Sequence, residues 1–173
     1  MHKYRISKYD PLFRDETGCY QKNEWTAISD IGKSFDGILL TDEEYIRVED
    51  KYIDAVKLII KFHSLTSLSV ANLCHSFSKD EFLNLIKPYS QLYSESLLDF
   101  YTNFNGSQAG LDEVESLCRL QLREDIGVDI FSPRKLKIFI GYDYLMGVKS
   151  SKSLEPIIPE ISALGLFVEK IDL

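Results

Sequence analysis

The spacing of hydrophobic residues along the chain predicts both helices and strands. The clearest helix begins after Thr41, because the Thr41 hydroxyl and the Glu44 carboxylate, three residues apart, form a capping box. Apolar residues then recur at intervals of three and four as far as Phe62 or His63. The charged residues between them, including Glu49, are expected mostly on the solvent side.

Three further helices are expected after this one. Ser78 and Glu81 form a second capping box, which predicts a short helix that ends or bends near Pro88. A longer helix is expected over residues 91–104. The last helix is short and stops at Gly165, a residue type that commonly ends helices.

Alternation with a period of two predicts the strands. The first begins at Tyr4 and has the pattern of an edge strand followed by a structured loop. The strongest strand signal, over residues 135–146, indicates a central strand or a strand with a bulge near Gly141. The remaining expected strands are 65–74, 117–123 and 166–171.

The order of these elements shows no regular alternation of strand and helix, which disfavours a doubly wound parallel sheet. The predicted fold class is therefore α+β, with an antiparallel or mixed sheet of four to six strands and helices mainly on one face. The chain has 173 residues, of which 45% are hydrophobic. Because this is near the usual size of one domain, residues 1–173 are expected to form a single domain.

The formal net charge of -7 bears on the choice of partner. Sequence-independent binding to nucleic acid depends on clustered Lys and Arg, so we expect no direct nucleic-acid partner and favour a basic protein. Residues 111–130 contain six carboxylates against two arginines. Such a run is commonly a solvated face, and its functional interpretation is an acidic docking surface. The predicted partner-binding residues are Asp112, Glu113, Glu115, Glu124, Asp125 and Asp129.

Three cysteines lie far apart without a Cys-x-x-Cys spacing, so reduced thiols in a cytoplasmic protein explain them best. Cys74 and Cys118 lie in runs that resemble strands, where a thiol behaves as a small core residue. The N-terminus has no apolar signal segment, and no run is long enough for a membrane helix. A cytoplasmic location without membrane contact is expected.

Groups suited to catalysis are few. Histidine titrates near neutral pH, but His63 is expected to be a cation that complements a helix end, and His75 to close a strand. The sequence contains no Gly-x-Ser-x-Gly, Walker A, Gly-x-Gly-x-x-Gly or His-Glu-x-x-His motif. We therefore predict no catalytic residue, metal or cofactor. Trp25, the single tryptophan, is expected in the core.

Four sequence motifs are similar to those of a known group of proteins. They are Tyr-Arg-Ile-Ser-Lys-Tyr-Asp-Pro at residues 4–11, Glu-Trp-Thr at 24–26, Ser-Asp-Ile-Gly at 29–32 and Gly-Tyr-Asp-Tyr at 141–144. With these motifs the chain resembles small bacterial immunity proteins that are encoded beside polymorphic toxins, including those of contact-dependent growth inhibition systems.

The resemblance implies a protein that binds and neutralises a cognate nuclease toxin, an RNase acting on tRNA in preference to a DNase. Its partner would be the toxin's basic C-terminal nuclease domain, whose active site it would occlude with the help of charge complementarity. Two other classes stay open. One is an adaptor or structural module that uses Trp25, and the other is an enzyme in which His63 or His75 meets a carboxylate in a cleft. The oligomeric state is also left open.

Overall fold

The computed structural model describes residues 1–171. These residues form nine strands and five α-helices, with short 3-10 turns between them. The strands are β1 (His2–Ser7), β2 (Ser34–Phe35), β3 (Ile38–Leu39), β4 (Ser67–His75), β5 (Gln108–Gly110), β6 (Ile126–Ser132), β7 (Leu136–Ile140), β8 (Met146–Ser150) and β9 (Phe167–Lys170). The helices are α1 (Asp42–Phe62), α2 (Lys79–Leu85), α3 (Glu95–Asn103), α4 (Leu111–Leu122) and α5 (Ile158–Ala163).

Seven strands form one antiparallel sheet in the order β5-β4-β6-β7-β8-β1-β9, and β2 pairs with β3 in a separate hairpin. The predicted α+β class with an antiparallel sheet is confirmed, although the sheet has one strand more than the upper limit of four to six. Helix α4 packs on β4, β5, β6 and β7, α1 packs on α4, and α5 packs on β9. These helices form a layer over one face of the sheet.

Helix α1 forms as its sequence predicts. The Thr41 hydroxyl accepts a 3.2 Å hydrogen bond from the Glu44 N–H, and the helix ends at Phe62. Its buried residues include two tyrosines, Tyr45 and Tyr52. The rings of Trp25 and Tyr45 lie 5.4 Å apart in the core, so the predicted position of Trp25 is confirmed.

The strand predicted over residues 117–123 is wrong, because these residues belong to α4 and the turn that follows it. Gly110 is the N-cap of helix α4, and its N–H donates a 2.7 Å hydrogen bond to the Glu113 carboxylate. Val114, Leu117 and Cys118 then recur at three and four residue spacing and are buried. This helical period extends further along the chain than the short alternation that predicted a strand.

The long strand predicted over residues 135–146 is two strands of a hairpin, β7 and β8. The chain reverses through the 3-10 turn Tyr142–Tyr144, in which Asp143 and Tyr144 both have positive φ values. The expected edge position of the first strand is also wrong. Strand β1 lies between β8 and β9, so both of its edges are paired.

The other predicted elements differ from the structure mainly at their ends. The helix expected over residues 91–104 begins only at Glu95, where the Ser94 hydroxyl caps α3. The strands expected over 65–74 and 166–171 correspond to β4 and β9. Cys118 is buried as expected, whereas Cys74 is exposed. None of the described helices combines the length and the apolar character needed to cross a bilayer.

Candidate functional site

A buried ion pair anchors the helical layer. Glu49 on α1 has no exposed surface, and Arg123 after α4 is 5% exposed. The Arg123 Nε and Nη2 atoms each donate a 2.7 Å hydrogen bond to the Glu49 carboxylate, and its Nη1 donates to the Leu92 carbonyl at 2.8 Å. This two-point geometry fixes the side of α1 against the end of α4.

Arg119, one turn earlier on α4, extends this network towards the surface. It donates hydrogen bonds to Glu49 at 2.9 Å, to Asp50 at 2.7 Å and to Glu115 at 2.8 Å. Burial alone would lower the pKa of Arg119, but the hydrogen bonds to Glu115 and Asp50 outweigh it and raise the pKa further above its usual range. The guanidinium therefore stays charged and holds three carboxylates in place.

A depression of about 630 Å³ lies above this network, between α1, α3 and α4. The hydrogen-bonded pair Asp50 and Arg119 lines it, together with Asp112 from the first turn of α4. The other lining residues are Ile46, Gln91, Leu92, Ser94, Ser96, Leu97, Glu115, Ser116 and Arg123. We call this site the helical depression.

Three of the six predicted partner-binding residues lie at or beside the helical depression. Asp112 is exposed and makes no salt bridge within residues 1–171. Glu115 is bonded to Arg119 and forms a 2.6 Å salt bridge with Lys57. Burial opposes ionisation of Glu115, but its bonds to Lys57 and Arg119 outweigh burial and lower its pKa. Glu113 is exposed and caps α4, so only Asp112 presents an unengaged carboxylate.

Glu124 and Asp125 lie at the opposite end of α4. Glu124 is largely exposed and has a φ of 64°. Partial burial of its carboxyl and the nearby Asp143 raise its pKa. Asp125 is only 5% exposed and accepts a 2.8 Å hydrogen bond from the Tyr93 hydroxyl. Since Asp125 is part of the core, a partner cannot reach it without rearrangement of the fold.

Asp129 lies in β6, on the face of the sheet that points away from the helices. It forms a 2.6 Å salt bridge with Lys137 and accepts a 2.8 Å hydrogen bond from the Asn72 amide. The expectation of one continuous acidic surface is therefore not met, because the six carboxylates occupy three separate places. Contact of any of them with a partner stays a prediction.

Two of the three histidines, His63 and His75, have structural hydrogen-bond partners. His63 Nε2 lies 2.8 Å from the Ser150 hydroxyl, and His75 Nε2 lies 2.8 Å from the Tyr101 carbonyl. Burial lowers the pKa of His63, and Lys152 and Lys135 act in the same direction. These effects oppose the cationic form that was expected at the helix end. Within residues 1–171, no three His, Cys, Asp or Glu side chains are grouped to hold a metal ion.

Glu49 is buried, although its charge predicted a position on the solvent side of α1. The missed signal is its spacing, because Glu49 follows Tyr45 by four residues and precedes Tyr52 by three, and both tyrosines are buried. A carboxylate on that stripe needs a cation opposite it, and Arg123 supplies one. Nothing in the sequence indicates that Glu49 on α1 pairs with Arg123 after α4.

A scan against protein-family models, a search of curated proteins and a search of solved structures each give no match to the chain. The resemblance to immunity proteins thus stays a prediction that rests on the four sequence motifs.

Proposed function

We propose that this chain is a cytoplasmic immunity protein that binds the basic C-terminal nuclease domain of a cognate toxin and blocks its active site. The observation that best supports this function is the helical depression, where Asp112 is exposed beside Asp50 and Glu115. A nuclease binds phosphates through Lys and Arg side chains, and such side chains are attracted to carboxylates.

The combined charge of the five α-helices supports the same partner. The five α-helices contain 14 Asp and Glu residues against six Lys and Arg. This excess would attract a basic domain before contact and orient it towards the helical side. A partner side chain in the depression would then meet Asp112, while Arg119 keeps Asp50 and Glu115 in fixed positions. We further propose that the toxin is an RNase that acts on tRNA.

Co-expression tests this function directly. The protein is produced together with the C-terminal domain of the product of the neighbouring upstream gene, and cell growth and co-purification are measured. Rescue of growth with co-purification supports immunity. Toxicity that persists despite normal production of both proteins would refute it and would favour an adaptor role.

Charge reversal tests the contact surface. Asp112→Lys should weaken toxin binding and slow association at low salt, as measured by interferometry. Glu160→Lys is a matched control, because Glu160 is also an exposed acid in a helix first turn, and α5 packs at the opposite sheet edge. If the two substitutions change toxin affinity and association rate equally, the helical depression is excluded as the contact surface. Growth rescue in the co-expression experiment tests immunity independently of this result.

A further inference from the structure

The sheet face that points away from the helices has a composition unlike the rest of the chain. On this face the seven strands carry four Lys and Arg against two Asp and Glu, although the chain has a net charge of -7. Buried residues such as Tyr4, Ile138 and Val148 alternate with outward-facing neighbours. We call this outward side the open face, and its charged, aromatic and glycine residues on β1 and β6–β9 include Lys3, Arg5, Asp129, Phe131, Lys137, Phe139, Gly147, Lys149 and Glu169. Glu169 is opposite Arg5 and forms a 3.9 Å salt bridge with it.

Three lysines form a row across the open face. Lys149 on β8 is directly opposite Lys3 on β1 and directly opposite Lys137 on β7. Like charges at opposed positions of neighbouring strands destabilise a sheet, so packing does not explain the row. Lys137 has a salt bridge to Asp129, whereas Lys3 and Lys149 have none within residues 1–171. The row would be stabilised by an anionic partner.

An aromatic ring lies next to the lysine row. Phe139 is 40% exposed and is opposite Gly147, and Arg5 is on the other side of that glycine. A Cβ built on Gly147 would lie 2.0 Å from Phe139 Cζ and 2.4 Å from each Cε atom. These distances place the Cβ position over the face of the ring, so the ring lies flat on the sheet with its other side outward.

A depression of about 420 Å³ adjoins the row at the β6–β7 turn. Phe131, Lys149 and the exposed Arg134 line it, together with Asn72 and the Lys137–Asp129 ion pair. The depression therefore offers an aromatic ring, an amide and three cations, one of which is paired with a carboxylate, within one concave surface. These groups match a nucleotide, which has a flat base, an anionic phosphate and polar base edges.

From this arrangement we propose that the open face binds a short single-stranded segment of nucleic acid, with a base on Phe139 and phosphates along Lys3 and Lys149. Flat rings beside cations on a sheet suit unpaired bases, because every base has a face that can stack. Paired bases of a duplex do not expose such faces. The proposal goes beyond toxin binding, because the open face is opposite the helical layer.

The expected salt dependence follows from the number of cations that can contact phosphates. Lys3, Lys149, Arg5 and Arg134 give about four contacts, and the logarithm of the affinity should fall with the logarithm of the salt concentration with a slope of about -3. Raising the salt from about 50 mM to about 200 mM should then weaken binding about 50-fold.

Fluorescence anisotropy with a labelled oligouridylate of about ten nucleotides tests the proposal on the full chain. The parallel probes are oligothymidylate, a duplex of the same length and an oligoglutamate peptide. We expect both single strands to bind, and the comparison of the two shows whether RNA or DNA is preferred. Absence of binding to both single strands at about 50 mM salt would overturn the proposal.

Substitutions locate the site and separate it from other basic groups. Lys3→Ala with Lys149→Ala should reduce the salt slope by about 1.4. The matched control, Lys61→Ala with Lys87→Ala, removes the same charge from exposed positions away from the open face and should leave the slope unchanged. Equal changes in the two double variants would refute the site.

Phe139→Leu distinguishes nucleic acid from an acidic protein. Leucine still covers Gly147 but has no flat ring, so oligouridylate binding should weaken at least about fivefold. Circular dichroism of the variant checks that the fold is kept. If the oligoglutamate peptide binds as tightly as oligouridylate, and Phe139→Leu changes neither, the open face is a site for an acidic protein and the proposal fails.

Discussion

Replacement of Asp125 by asparagine should change how the stability of the protein depends on pH. Asp125 is 5% exposed and accepts a hydrogen bond from the Tyr93 hydroxyl. Burial raises the pKa of this carboxyl to about 7, and the charges of Glu49 and Glu124 act in the same direction. Near neutral pH, about half of the folded molecules should therefore hold Asp125 in its uncharged form.

The magnitude and sign follow from proton linkage. An aspartate in the unfolded chain has a pKa of about 3.9, so folding raises the pKa of Asp125 by about three units, each equal to about 1.4 kcal/mol. Below about pH 4 the carboxyl is protonated in both states, and its contribution to stability is fully present. As the pH rises to about 7, the unfolded chain ionises first, and up to about 4 kcal/mol is lost. Asparagine does not titrate and removes this loss.

Urea unfolding of the wild type and of Asp125→Asn between about pH 4 and about pH 8 measures this effect, because the titration of groups that do not interact with Asp125 cancels in the difference. The free energy of unfolding of the variant minus that of the wild type should rise with pH and level off near about pH 8. Glu124→Gln is the control, since the adjacent Glu124 is exposed and should give a smaller change. A difference that is constant with pH would refute the reasoning from burial.

Three further outcomes are expected. Glu49→Gln removes the carboxylate that holds Arg123 and should lower the free energy of unfolding by about 3–5 kcal/mol, as measured by chemical denaturation. Gly147→Ala should lower the free energy of unfolding by about 1–3 kcal/mol, because the new methyl group meets the Phe139 ring. The loss should be smaller in a Phe139→Ala background, and an unchanged loss there would contradict the contact. A thiol reagent should modify the two exposed cysteines in the native protein and Cys118 only after unfolding, so rapid labelling of all three would contradict the structure.

The elements that could be predicted from the sequence are those whose signals are local. Helices α1 and α2 begin at Thr41 and Ser78, where a side chain and a backbone N–H within four residues define the start. Strands β4 and β9 show alternation within a single window. In these cases the interactions that fix the element lie within the segment itself.

The errors arose where the deciding interaction was distant or two periods competed. Residues 117–123 alternate over a short window, but the helical period that includes Val114 and the cap at Glu113 decides the structure. The position of β1 depends on pairing with β9, which lies more than 150 residues further along the chain. No local pattern indicates which strands flank it.

The candidate site was predicted only in part for a similar reason. Six carboxylates that are close in sequence were expected to be close in space, but α4 separates Asp112 from Glu124, and β6 places Asp129 on the open face. Asp112 is the one residue of the set with an exposed, unengaged carboxylate at the helical depression. Charge density along the sequence therefore predicted an acidic docking surface but did not define where its carboxylates lie.

The net charge of the chain also conceals the separation of charge between its two sides. A helix with its side chains is about 10–12 Å wide, so the outer surface of the helical layer lies at least about 10 Å from the sheet. At physiological ionic strength the Debye length is about 8 Å, and charges on one side are therefore largely screened from a ligand on the other. The acidic layer would then attract a basic domain while the lysine row still attracts phosphates. Because this screening weakens as salt is removed, substitutions on one face should affect binding at the other only at low ionic strength.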